Sequence, residues 1–143
     1  MELIRRYSNC FVCGNKNEYG LKVDFFYDKG LSRAEYVAGE KFQGYKDILH
    51  GGIISALLDE VMIKAVIARG ILAVTAEIQV KFIKPVRIGE KLLLEGKITG
   101  EQKKIFTAEG TVSNAKGEMV AAGKGKFFKV TENMHKLLEE SLE

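Results

Sequence analysis

The chain has 143 residues, 46% of them hydrophobic and 29% charged, with a net charge of +3. That is one ordinary globular domain able to bury a core, not a disordered, fibrous or multi-domain chain. The positive balance is too small to argue for nucleic acid, and with no Trp and no aromatic-basic interleaving there is no base-stacking platform. We read a single domain over 1–143, with an irregular lead-in over 1–19 and a tail helix over 131–143.

The N-terminus MELIRRYSNCFVCG has no apolar h-region, so no signal peptide is expected and the cytoplasm is the expected compartment. Cys10 and Cys13 form a lone Cys-x-x-Cys. A structural zinc needs four ligands, and no second pair exists. Redox chemistry would want a thioredoxin-like βαβ pattern, and none follows. The pair is therefore read as structural or incidental, ahead of metal or redox roles, and no metal is expected. Leu21 to Tyr27 alternates as a strand with Leu21, Val23, Phe25 and Tyr27 on one face. Asp28-Lys29-Gly30 turns it, and Leu31 to Ala38 returns to make a hairpin. Gly39 to Leu49 is a loop that delivers the chain into a helix.

His50 to Arg69, HGGIISALLDEVMIKAVIAR, is apolar nearly all round, which marks a buried helix. Asp59, Glu60 and Lys64 in its middle argue against a membrane span. At about 100° per residue, Gly52, Ser55 and Asp59 share one face. Glu60 and Lys64 fall roughly opposite, spaced for an i,i+4 ion pair. Gly70 is suited to close the helix.

Leu72 to Lys84 alternates cleanly, with Leu72, Val74, Ala76, Ile78, Val80 and Phe82 on one face. Strands follow at Leu92 to Thr99, Lys104 to Ser113 and Glu118 to Val130. Ala121, Gly123 and Gly125 put small residues on one face of the last, suiting close approach of a helix or a neighbouring chain. Thr131 is positioned to cap the tail helix. Short turns force antiparallel neighbours, so the pattern predicts an α+β domain: a curved antiparallel sheet of about five to six strands around one long buried helix. Pairing Leu72–Lys84 with a second copy across a two-fold would remove an exposed edge.

Two features bear on chemistry. The helix entrance offers orphan amides and the positive end of the dipole, and Gly51 and Gly52 let a carbonyl approach closely. The alternative is that the glycines relieve crowding while His50 caps. Asp59 on an apolar helix must be solvated, paired or functional as nucleophile or general base. It lies seven residues past Gly52, roughly 10 Å along the axis. A nucleophile must sit about 3 Å from the reacting carbon, so one helix cannot do both jobs. If both groups are functional, two antiparallel helices across a two-fold can share the work.

HGGIISALLDE, the strand TAEIQVKFIKP and the turn PVRIGEKL resemble the hotdog-fold acyl-CoA thioesterases, nearest to the phenylacetate-pathway (PaaI-like) branch. The likeness runs from about Cys10 through Phe128 and includes the CFVCG and FQG segments. It implies that Gly51, with Gly52 beside it, polarises a thioester carbonyl, and that His50 holds that loop or the substrate. It implies that Asp59 acts as nucleophile or base across a dimer and that Thr75 positions water. Gln43 or Asp47 would serve where relatives carry Asn or Gln; Gly44 stands where some carry Asn.

The implied substrate is an acyl-CoA, with coenzyme A as part of the substrate and no cofactor, and the implied assembly is a homodimer or a dimer of dimers, with no nucleic-acid or membrane partner. Lys81, Lys84, Arg87, Lys103, Lys104, Lys124 and Lys126 are candidates for the CoA phosphates, each with the rival reading of a solvated basic surface. Leu57, Leu58, Met62, Phe42 and Tyr45 are candidates for an acyl slot. Two rivals remain: a non-catalytic acyl-CoA-binding or sensing module, and a structural homo-oligomer in which Asp59 only makes a hydrogen bond.

Overall fold

The computed structural model describes residues 1–142, so the last residue of the expected tail lies outside the described residues. The strands are β1 (Glu2–Leu3), β2 (Phe26–Asp28), β3 (Leu31–Val37), β4 (Ala73–Phe82), β5 (Lys91–Gln102), β6 (Ile105–Asn114) and β7 (Met119–Lys129); the α-helices are α1 (Gly51–Ile67) and α2 (Glu132–Ser141). All seven strands form one antiparallel sheet in the order β1-β2-β3-β5-β6-β7-β4. The sheet curves round α1, the hotdog arrangement that the sequence motifs imply, with seven strands where five to six are expected. The extra strand is β1, where the supposedly irregular lead-in returns to pair Leu3 with Phe26.

The strand expected over 21–27 is mostly not in the sheet. Lys22 adopts φ 55, a left-handed conformation that breaks a strand. Leu21, Val23 and Phe25 are still buried, because this segment bonds to the Cys-x-x-Cys loop: Leu21 N–H donates to Phe11 O at 2.8 Å and Val23 N–H to Val12 O at 2.9 Å.

The core lies between α1 and the concave face of β5, β6 and β7, and glycines set the spacing. A Cβ on Gly96 would stand 2.3 Å from the Val61 carbonyl oxygen. Gly110 and Gly123 face Leu58 and Met62. The small residues of β7 thus admit the chain's own helix. Leu57, Leu58, Val61, Met62 and Val66 are fully buried there, each contributing about 1.5–3 kcal/mol of apolar burial.

β4 departs from clean alternation. A bulge between Thr75 and Glu77 drops Ala76 from the ladder with β7. Val74, Ile78 and Val80 are only half-buried, while Ala76 and Phe82 are exposed. β4 ends the sheet, with β7 as its neighbour. α2 begins after Thr131, whose side chain makes no capping bond. No helix among the described residues is long and apolar enough to cross a membrane.

Candidate active site

The loop before α1 is fixed from both ends. His50 N–H donates to Phe42 O at 2.9 Å, and Leu49 N–H donates to Val86 O at 2.8 Å. His50 is the N-cap: Gly52 N–H donates to its Nδ1 at 2.8 Å, which places the imidazole proton of the neutral ring on Nε2. The His50 carbonyl accepts from Ile53 at 3.0 Å. The first-turn amides therefore divide. Gly52, expected to help polarise a carbonyl, has its donor engaged by His50. Gly51 N–H has no acceptor among the described residues. Gly51 lines a cavity of about 790 Å³ together with Gln43, Tyr45, His50, Phe82 and Lys84, floored by apolar side chains including Ile54 and Val86.

Asp59 is partly buried on the flank of α1, and Thr75 Oγ1 on β4 donates to its Oδ1 at 2.7 Å. Burial raises the Asp59 carboxyl above its ordinary value; the Thr75 hydroxyl opposes this, and the charge on Cys10 adds to it. Asp59 does not line the cavity at Gly51. Glu60, the next residue, points elsewhere. It is 8% exposed, and the fully buried Lys64 ammonium stands 3.9 Å from its Oε2. The expected i,i+4 pair is present, inside the protein rather than on its surface.

The other expected residues are scattered. Gln43 lines the cavity, but both ends of its amide serve the loop, donating to Glu40 O at 2.9 Å and accepting from Asp47 N–H at 2.7 Å. Asp47 is exposed with φ 63 and lies outside that lining. Phe42 is half-buried edge-on to Phe11 with centroids 6.2 Å apart, and is also not in the lining. Tyr45 is 87% exposed at the rim. Leu57, Leu58 and Met62, expected along an acyl slot, sit instead in the core; the face they occupy is the one that meets the sheet.

Of the basic candidates, Lys84 reaches the cavity but is paired with Glu118 at 2.5 Å, and Lys126 is 3.9 Å from Glu77. Lys81 and Lys124 share a separate shallow groove on the sheet, Arg87 belongs to the turn closed by Glu90, and Lys103 and Lys104 lie in the β5–β6 turn. Phe82, Ile83 and Val86, which wall the cavity, were not singled out from the sequence. They arrive through the Leu49–Val86 bond, a contact between distant segments that periodicity does not reveal.

Comparison with known proteins gives consistent findings. The sequence profile of the family described as Thioesterase superfamily matches residues 46–121, more than half of the chain. A protein of Archaeoglobus fulgidus named as a candidate esterase is 30% identical over 105 residues, covering 73% of this chain and 68% of that one. The crystal structure of smu.793 from Streptococcus mutans, bound to acetyl CoA, superposes with a TM-score of 0.71 at 25% identity, over 76% of this chain and 88% of that one. The E. coli PaaI protein from the phenylacetic acid degradation operon gives 0.73 at 20% identity, over 78% and 81%.

Proposed function

The chain belongs to the Thioesterase superfamily, and from that premise we propose that it hydrolyses an acyl-CoA thioester to the free acid and CoA, using Asp59 of one protomer and the Gly51 helix mouth of its partner. The observation that carries this reading is the division of labour along α1. A free amide sits at the positive end of the helix dipole, and a reachable, partly desolvated carboxylate sits eight residues later, about 12 Å along the axis. No single scissile bond spans that distance, so a two-fold pair of helices is the economical solution. β4 suits it, being the last strand of the sheet, with Phe82 at its end and Ile83 just beyond both exposed.

In the proposed reaction the thioester carbonyl oxygen accepts from Gly51 N–H. Asp59 removes a proton from a water that bonds to the carbonyl carbon, or attacks that carbon itself to form an anhydride that water then hydrolyses. In either case the C–S bond breaks, the thiolate takes up a proton and leaves as CoA, and the acyl group leaves as the free acid. Thr75 orients the carboxylate. A neighbour that holds acetyl CoA supports a CoA ester as the substrate.

A hydrolysis panel of short, long and aryl acyl-CoA esters tests this. Wild type is expected to release CoA from at least one of them, and Asp59→Asn, assembled normally, to lose that activity. Full activity in Asp59→Asn, or a monomer in solution, would overturn the proposal; binding without turnover in wild type would point to a sensing module.

A further inference from the structure

A second constellation lies on the other side of Glu60, and thioester chemistry has no use for it. We infer that Cys10, Cys13 and Glu60 form a binding site for a divalent metal ion of the zinc class, with the buried Lys64 as its charge partner. Read from the sequence, the Cys-x-x-Cys lacks the second pair that a metal would need; the fold supplies a third donor from α1, fifty residues on.

The geometry carries the inference. One ligand atom from each of Cys10, Cys13 and Glu60 lies within 4.8 Å of the others. Cys10 Sγ and Glu60 Oε2 are 3.7 Å apart. Two donors bound tetrahedrally to one zinc at ordinary Zn–S and Zn–O lengths would be about 3.6 Å apart, so this edge is already set. The backbone is also arranged for a thiolate. Val12 N–H and Cys13 N–H both point at Cys10 Sγ, at 3.4 and 3.5 Å, the second-sphere contacts that orient a metal-bound sulfur. The loop closes tightly behind them: a Cβ on Gly14 would stand 2.5 Å from the Cys10 amide nitrogen and the Ser8 carbonyl oxygen.

Charge points the same way. Lys64 is fully buried, donates to the Arg5 carbonyl and lies over the Tyr7 and Phe25 rings at 5.6 and 5.9 Å. Three anionic ligands, one divalent ion and this ammonium sum to zero. Two thiols and a carboxylate suit a borderline-soft ion over magnesium or calcium. Cys10, the half-exposed ligand, opens on a cavity of about 460 Å³ shared with Tyr7, Asn9 and the end of α2, which gives an ion a way in and water a place at the fourth position.

The test is spectroscopic and independent of hydrolysis. Cobalt(II) chloride is titrated into the reduced, metal-stripped full-length protein. The expected result is an intense sulfur-to-cobalt charge-transfer band that saturates at one ion per chain and is displaced by zinc. Cys10→Ser and Cys13→Ser should each weaken the band, and Glu60→Gln should weaken cobalt binding by at least about tenfold. Zinc should also raise the melting temperature of wild type, a readout that needs no variant. No thiolate band in the reduced wild type overturns the inference, as does a band undiminished in both cysteine variants. A protein that forms a Cys10–Cys13 disulfide in air and takes no cobalt when reduced overturns it in favour of a redox pair.

Discussion

Asp59 and Glu60 are adjacent carboxylates on one helix, both lifted first by burial, yet the fold treats them differently. Asp59 keeps a path to solvent and has one neutral hydroxyl partner. Glu60 is sealed with an ammonium and two sulfurs. A perturbed carboxyl alone therefore does not mark the reacting group. In the proposed reaction reach and partner chemistry do: a neutral donor leaves Asp59 basic and available, whereas the Lys64 counter-charge holds Glu60 in place.

The sharpest way to break the comparison is activity. Asp59→Asn should lower kcat for the best acyl-CoA by about 10²–10⁴-fold, the usual worth of a positioned general base, measured as CoA thiol release. Stability should move the other way. Because the folded carboxyl lies above its ordinary value, the folded state holds the proton more tightly than the unfolded chain, and stability falls as pH rises through that interval. Removing the charge should leave Asp59→Asn more stable at neutral pH by about 1 kcal/mol, the pattern of a residue kept for function. Asp59→Asn less stable than wild type would mean that Asp59 is structural.

The matching test on the sealed side is Lys64→Ala in the metal-free protein. It strands Glu60 and the Cys10 sulfur in the interior without their cation, and denaturant melts should show a loss of about 3–5 kcal/mol. A loss under 1 kcal/mol would mean that the pair is solvated, and the contrast with Asp59 would collapse.

How much of this could be read beforehand follows from which forces are local. α1 and the strands β5, β6 and β7 were legible because period and turn residues are written in consecutive positions. Leu92, Leu94, Phe106 and Val112 bury as their alternation requires. The 21–25 segment misled because alternation reports burial and not pairing: Leu21 and Val23 bury by bonding to a loop. The β4 bulge left no mark in the pattern. Asp59 and Thr75 were each picked out, but the bond between them is a tertiary fact. Leu58 and Met62 were assigned to a slot because a helix apolar all round does not disclose which side meets the sheet. On the helical wheel Glu60 falls opposite the Gly52 face, and the Cys-x-x-Cys lacks a second pair of ligands; the fold brings these two together.

Thr75 probes the open side more gently. In the reduced, metal-free protein its hydroxyl is the main influence holding the Asp59 carboxyl down against burial. Thr75→Val should therefore move the acid limb of kcat/KM to higher pH, since ionised Asp59 is the active form in the proposed reaction. It should also cost at least about tenfold in kcat/KM on the alkaline plateau, the worth of one hydrogen bond to a charged group. An acid limb that stays put while the plateau falls would reassign Thr75 to water or substrate.

The smallest effect couples the two sides. Cys10 has a weaker influence on Asp59 than burial or Thr75 and acts opposite to Thr75, its negative charge raising the carboxyl. In the same reduced, metal-free protein, Cys10→Ser should shift the acid limb to lower pH, by less than Thr75→Val shifts it upward, and leave the plateau within about twofold. The sign is what matters. An acid limb that does not move would mean that Cys10 is a neutral thiol, and that the cluster carries its negative charge on Glu60 alone. Adding zinc before the measurement should abolish the difference between wild type and Cys10→Ser, because a neutralised cluster no longer reaches Asp59 electrostatically.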